Sequence, residues 1–151
     1  MKLVRETLKQ EELISMIEKL AKAIYQDIKH HNNPTFSVPS RSSDNIIYNE
    51  RKDVIYLGDR ESKRSFHNTG TSTAFTQMLF ILSIIHEAAV NGKHLTKREI
   101  YYQDPELFDK DQKTSDDIIE DIAVTLGVTR PCLRVVATAK GVCIGDLTLR
   151  E

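Results

Sequence analysis

Tyr101 and Tyr102 close the motif Thr96-Lys-Arg-Glu-Ile-Tyr-Tyr102, whose residue types could do chemistry. Thr96 and Glu99 stand at capping-box spacing, which predicts a short helix from there through Tyr102. Adjacent residues on a helix point about 100° apart, so the two rings cannot both face the core or both face a ligand. Tyr102 shares a face with Arg98, four residues earlier, while Tyr101 sits more nearly over Lys97. One tyrosine can therefore pack while the other stands beside a guanidinium. A free tyrosine, with a pKa of about 10, is a poor nucleophile at neutral pH. A neighbouring arginine favours the phenolate and can grip a phosphate with two parallel hydrogen bonds. A nucleophile beside a held phosphate is what phosphoryl transfer to tyrosine requires. By chemistry alone the plainer reading, two amphipathic tyrosines packing on a core, is the commoner one.

The elements that must position this pair fall into three segments. Up to about Asn33 the chain is helical: Leu13, Ile17, Leu20, Ile24 and Ile28 recur at helical steps and make one apolar stripe. Asn32-Asn33-Pro34 stops it. The stripe could pack on its own domain or dock into a partner's groove. Residues 34–70 are polar, with strand signals at Asn45-Ile-Ile-Tyr48 and Val54-Ile-Tyr-Leu57, which predict a hairpin with a five-residue connection over 49–53. Arg60, Lys63 and Arg64 follow, read as a solvated loop or, alternatively, as phosphate contacts.

From Thr71 onward the pattern reads helix, helix, helix, hairpin. Phe75, Met78, Leu79, Leu82, Ile85 and Ala89 share a broad face, and Asn91-Gly92 closes that helix. The short tyrosine helix ends at Asp104-Pro105. A third helix is expected from Thr114-Ser115-Asp116, with Ile118, Ile119, Ile122, Ala123 and Leu126 on its core face and Gly127 at its end. Leu133, Val135 and Ala137 alternate as a strand, Ala139-Lys-Gly141 turns it, and Val142, Ile144 and Leu147 return. The expected fold is α+β, mainly helical: a winged helix of the CAP-like helix-turn-helix type (residues 71–151) behind an N-terminal helix (1–33) and a β-hairpin strap (34–70).

Composition bounds the function classes. Of 151 residues, 40% are hydrophobic and 28% charged, an ordinary folded composition. Twenty-one basic against 22 acidic side chains give a net charge of −1, which excludes a polycationic nucleic-acid coat and leaves room for a local basic surface. Two cysteines, Cys132 and Cys143, make no disulfide scaffold. No basic-then-apolar leader opens the sequence. The longest apolar run, 78–85, is broken by Ser83 and falls short of the ~20 residues a bilayer needs, so no membrane contact is expected. A reducing compartment, cytosolic or nuclear, follows.

Further residues line up with the tyrosine motif. Tyr56-Leu-Gly-Asp-Arg60 and Lys63-Arg-Ser-Phe66 precede it; Glu106-Leu-Phe108, Gln112, Asp116, Ile119, Asp121-Ile122, Leu126, Arg130, Leu133, Ala139-Lys-Gly141 and Gly145 follow. In this order and spacing the chain, from about residue 35 to 150, resembles the A subunit of topoisomerase VI and its eukaryotic relatives, the transesterases that make meiotic double-strand breaks. The resemblance implies a type II, ATP-dependent topoisomerase-like DNA cleavage enzyme. Its nucleophile falls on Tyr102 and its arginine on Arg98, in agreement with the helical geometry. The product implied is a 5′-phosphotyrosyl link with a free 3′-hydroxyl. The family's basic wing residue falls on Lys140 and a further phosphate contact on Arg130. Glu99 reads first as a helix cap.

The resemblance also implies duplex DNA as partner, a homodimer of A subunits, and a B-type subunit contacted through the N-terminal helix. Magnesium is implied too, held by a Toprim domain that has no counterpart in these residues. The expectation is a truncated piece with no catalytic magnesium site and little or no cleavage on its own. The Ile100-Tyr101-Tyr102 wording is closer to eukaryotic members and implies a nuclear location; an archaeal source would imply the cytoplasm.

Three other groupings carry less. Asp109, Asp111, Asp116 and Asp117, with Lys110 and Lys113 between them, fit no metal-loop spacing. His30, His31, His67, His86 and His94 have no ligand-spaced partners and read as structural or exposed. From residue 93 to 151, nine Lys and Arg face eleven Asp and Glu, and the acids of the third helix make a poor surface for a DNA groove. That acidity argues against a sequence-reading transcription factor and predicts weak, salt-sensitive DNA binding. A non-catalytic interaction module built on the N-terminal helix is the alternative function.

Overall fold

A computed structural model describes residue 5, residues 7–49 and residues 54–137. The apolar stripe winds into helix α1 (Gln10–Lys29). The Glu12 carboxylate accepts from the Lys9 amide at its start, and His31, with φ of 60°, turns the chain out of the helix ahead of Asn32. Leu13, Ile17 and Ile24 are buried in the common core, whereas Ile28 is exposed. The stripe thus packs on its own domain.

Strand β1 (Thr35–Pro39) drives Phe36 and Val38 into the core, and the Phe36 ring lies 5.0 Å from that of Phe75. β2 (Ile46–Asn49) and β3 (Val54–Leu57) form the expected antiparallel hairpin, with Ile46 opposite Leu57 and Asn49 opposite Val54. Four residues connect them, one fewer than expected, because Asn49 is still paired. The basic stretch after Gly58-Asp59 is no loop: β4 (Glu61–Ser65) pairs antiparallel with β1, from Thr35 against Ser65 to Pro39 against Glu61.

Helix α2 (Ser72–Val90) is the central pillar, burying Phe75, Met78, Ile81, Leu82, Ile85 and Ala89. By length and composition this helix could span a bilayer; here its apolar face packs against α1 and helix α4 (Gln112–Leu126). Gly92, at φ of 66°, takes the left-handed turn that ends it. β5 (Leu95–Thr96) leads into helix α3 (Lys97–Gln103), and a 3-10 turn at Glu106–Phe108 buries Phe108.

α4 starts earlier than its sequence suggests. Asp111 is its cap, accepting from the Lys113 amide, while Ser115 is fully buried. Asp109 and Lys110, both with positive φ, turn the chain so that Asp111 reaches the cap position. Ile118, Ile119, Ile122 and Ala123 face the core, and Gly127 ends the helix in the left-handed region as expected.

The strand expected from Leu133 is shorter than the alternation suggests. Pro131 and Leu133 sit in a 3-10 turn (Arg130–Leu133), Arg134 takes a left-handed φ of 61°, and only β6 (Val135–Val136) is extended. It pairs with β5, Leu95 beside Val135. The wing turn with Lys140, the returning strand and Cys143 lie outside the described residues. The result is an α+β, mainly helical fold of winged-helix type, and one apolar cluster draws on all three sequence segments.

Candidate catalytic tyrosine site

A seven-residue helix does not persist alone in water. α3 is held from several sides. The Thr96 hydroxyl accepts from the Glu99 amide at 3.2 Å, and the Glu99 carboxylate accepts from the Thr96 amide at 2.5 Å, completing the capping box. Ile100 is fully buried. Lys97 donates to Asp116 of α4 at 2.9 Å. At the far end the Asp104 carboxylate accepts from the Leu107 amide, which sets the exit turn.

On this fixed helix the two tyrosines divide as their 100° offset requires. Tyr101 is half-buried, its ring 6.4 Å from that of Phe108. Tyr102 is 64% exposed. Arg98 is also exposed and lies one turn back on the same face. Among the described residues neither the Arg98 guanidinium nor the Tyr102 hydroxyl has a hydrogen-bond or ion-pair partner. The face therefore offers one phenol and one five-donor fork, a set that suits an anionic ester with a reactive centre.

Arg130 stands elsewhere. Its guanidinium donates to Glu120 at 3.1 Å and its side chain is 31% exposed, so a phosphate contact there competes with an existing ion pair. Lys140 lies outside the described residues.

The acids of α4 are also engaged. Asp116 takes Lys97; Glu120 takes Arg130; Arg41 reaches Asp117 at 3.8 Å and donates to Asp121 at 3.0 Å; Arg64 donates to the other Asp121 oxygen at 3.0 Å. The expectation of an acidic, DNA-repelling helix surface is corrected accordingly: each acid has a cation from another element beside it. Of the basic stretch, Arg64 serves Asp121 and Arg60 pairs with Asp44, while Lys63 stays exposed. Sequence reasoning missed the Arg41–Asp121–Arg64 cluster. Its partners are 80 and 57 residues apart, and the only local signal was the crowding of acids on one helix.

Among the described residues no group of three or more His, Cys, Asp or Glu could hold a metal ion. Asp111 caps α4 and Asp116 and Asp117 face cations, so this donor set does not suit magnesium. His86 instead sits 3.4 Å from Glu18 across the α1–α2 cleft.

Residues 73–135, which span α2, α3, α4 and β6, match a family model described as type IIB DNA topoisomerase. Curated relatives carry the similarity over most of the chain. The A3 subunit of DNA topoisomerase 6 from Oryza sativa subsp. indica is 39% identical over 137 residues, covering 91% of this chain and 31% of that protein. The A subunit of type 2 DNA topoisomerase 6 from Pyrococcus abyssi is 33% identical over 148 residues, 93% and 39% respectively. The A subunit of DNA topoisomerase 6 from Arabidopsis thaliana is 36% identical over 135 residues, 89% and 31% respectively. Over most of its length the chain is similar to topoisomerase VI A subunits. It spans 31% to 39% of the length of these relatives.

Proposed function

We propose that this chain is the catalytic-tyrosine module of a type IIB topoisomerase-like DNA transesterase. The Tyr102 hydroxyl oxygen attacks a backbone phosphorus of duplex DNA. A P–O bond to tyrosine forms and the bond to the 3′ oxygen breaks; the phenol proton is lost and the departing oxygen gains one, leaving a free 3′-hydroxyl and a 5′-phosphotyrosyl link. Arg98 holds the phosphate oxygens and stabilises the charge that builds on them. The observation that carries this reading is the exposed Arg98–Tyr102 face on a helix fixed from behind by the core.

The same step serves a topoisomerase or a meiotic break-forming enzyme, and the two differ in what partners do with the cut. Lys140 and Arg130 are proposed as flanking DNA contacts, Arg130 the weaker because Glu120 already occupies it. The proposed assembly is a homodimer of A subunits with a B-type partner. Magnesium is proposed to come from a domain other than this one, so the isolated chain cleaves little; it binds DNA weakly because most phosphate contacts are proposed to lie outside it. A nuclear location belongs to the eukaryotic reading and a cytoplasmic one to the archaeal.

The test is Tyr102→Phe in the full-length A-subunit dimer with its B-type partner, with covalent protein–DNA adducts trapped by detergent. The adduct is expected to vanish while noncovalent DNA binding persists. Adduct at the wild-type level refutes the assignment.

A further inference from the structure

Tyr102 is exposed and its hydroxyl has no partner among the described residues, yet its ring is not free. The Tyr101 ring lies 5.5 Å away at an interplanar angle of 50°. Tyr101 in turn lies 6.4 Å from Phe108, at 44°, and Phe108 is fully buried and 6.3 Å from Phe80 of α2. The centroid separations fall within the range of about 4.5–7 Å over which aromatic rings pair. Neighbouring side chains on a helix normally diverge, so ring contact between consecutive tyrosines biases the exposed one among its few staggered orientations.

We propose that Tyr101 is a positioning residue for Tyr102: anchored on Phe108, its ring leans on the exposed ring and limits the directions in which that phenol points. The proposal rests on the transesterase reading above. A nucleophile that samples fewer orientations spends more time aligned with the phosphorus. The ring, and not the Tyr101 hydroxyl, is what the proposal requires.

The experiment compares Tyr101→Phe with Tyr101→Leu in the full-length A-subunit dimer with its B-type partner, on a duplex oligonucleotide. Tyr101→Phe is expected to leave adduct formation within about twofold of wild type. Tyr101→Leu is expected to slow it about two- to twelvefold, the range spanned by one aromatic pair, at unchanged DNA affinity. A merely structural role would move affinity, stability and rate together. Should Tyr101→Leu unfold α3, Tyr101→Met keeps the bulk without the ring and carries the same comparison. A second readout needs no cleavage. With 3-fluorotyrosine at position 102, the fluorine resonance is expected to shift on loss of the neighbouring ring and to stay put with phenylalanine there. If phenylalanine costs as much as leucine, or if the ringless variants leave both rate and resonance unchanged, the proposal falls. Persistence of adduct in Tyr102→Phe instead removes the transesterase reading, and the resonance still decides whether the rings are coupled.

Discussion

Replacing Asp121 with Asn removes one charge and almost no volume from the place where the strap meets α4. The Asp121 side chain is 10% exposed and accepts from Arg41 and Arg64, both at 3.0 Å. The two arginine side chains are 37% and 31% exposed, so neither loses water completely. Breaking a fully buried ion pair costs about 3–5 kcal/mol, and a fully exposed pair contributes about 0–1 kcal/mol. A buried carboxylate between two partly wet guanidiniums lies between these limits. Asn still accepts from one arginine, but its amide N–H groups then face donors of the other. The expected loss is about 2 kcal/mol, or a drop in Tm of about 4–8 °C for a chain of this size. Urea unfolding followed by circular dichroism should show a lower midpoint at unchanged slope. Because the carboxylate is shielded, most of the loss should survive in about 1 M salt, where an exposed pair is largely screened. In a double-mutant cycle, Arg64→Ala should cost much less in the Asp121→Asn background than in the wild type. A loss under about 0.5 kcal/mol, or one abolished by salt, would show the cluster to be an ordinary surface pairing.

Gly58→Ala should disturb the root of the β2–β3 hairpin. A Cβ there would sit 2.5 Å from the Asn45 side-chain oxygen and 3.1 Å from the Asn45 carbonyl. Asn45 cannot swing aside cheaply, since its amide donates to Ser40 and Arg60 carbonyls and accepts from the Arg60 amide. The expected cost is about 1–3 kcal/mol, with faster hydrogen exchange at the Arg60 amide. Thr96→Ala removes the hydroxyl that caps α3 and should cost about 1 kcal/mol. Exchange at the Glu99 amide and through α3 should accelerate while α2 keeps its protection; uniform acceleration would mean that α3 does not open on its own.

Elements whose stabilisation is local were legible in the sequence. The stripe of α1, the capping box of α3 and the left-handed glycines after α2 and α4 each place their cause within a few residues of their effect. The division between Tyr101 and Tyr102 was legible for the same reason, as consecutive helical positions cannot share a face. β4 was not. Glu61-Ser-Lys-Arg-Ser65 holds no apolar residue, and it is a strand because its backbone pairs with β1, whose Phe36 and Val38 fill the core. The start of α4 was misplaced because Asp111, Thr114 and Ser115 are all competent caps. Burial of Ser115, set by tertiary packing, decided among them. The conflict between a buried Ser115 and its capping chemistry has no signature along the chain.

The cluster at α4 also changes what net charge means for this fold. Residues 93–151 hold two more acids than bases, a balance that by itself argues against an anionic ligand. Yet Asp117 and Asp121 are answered by Arg41 and Arg64, which lie in the strap and outside that count. The field at a surface follows from charges in space within about one Debye length, not from charges in a sequence window. Lys97 is likewise turned inward to Asp116, while Arg98, its neighbour, is left outward. The strap and α3 therefore do one electrostatic job from two sides. They neutralise the helix behind the tyrosine, so that the cation left without a partner on α3, among the described residues, is Arg98, the one a helical turn from Tyr102.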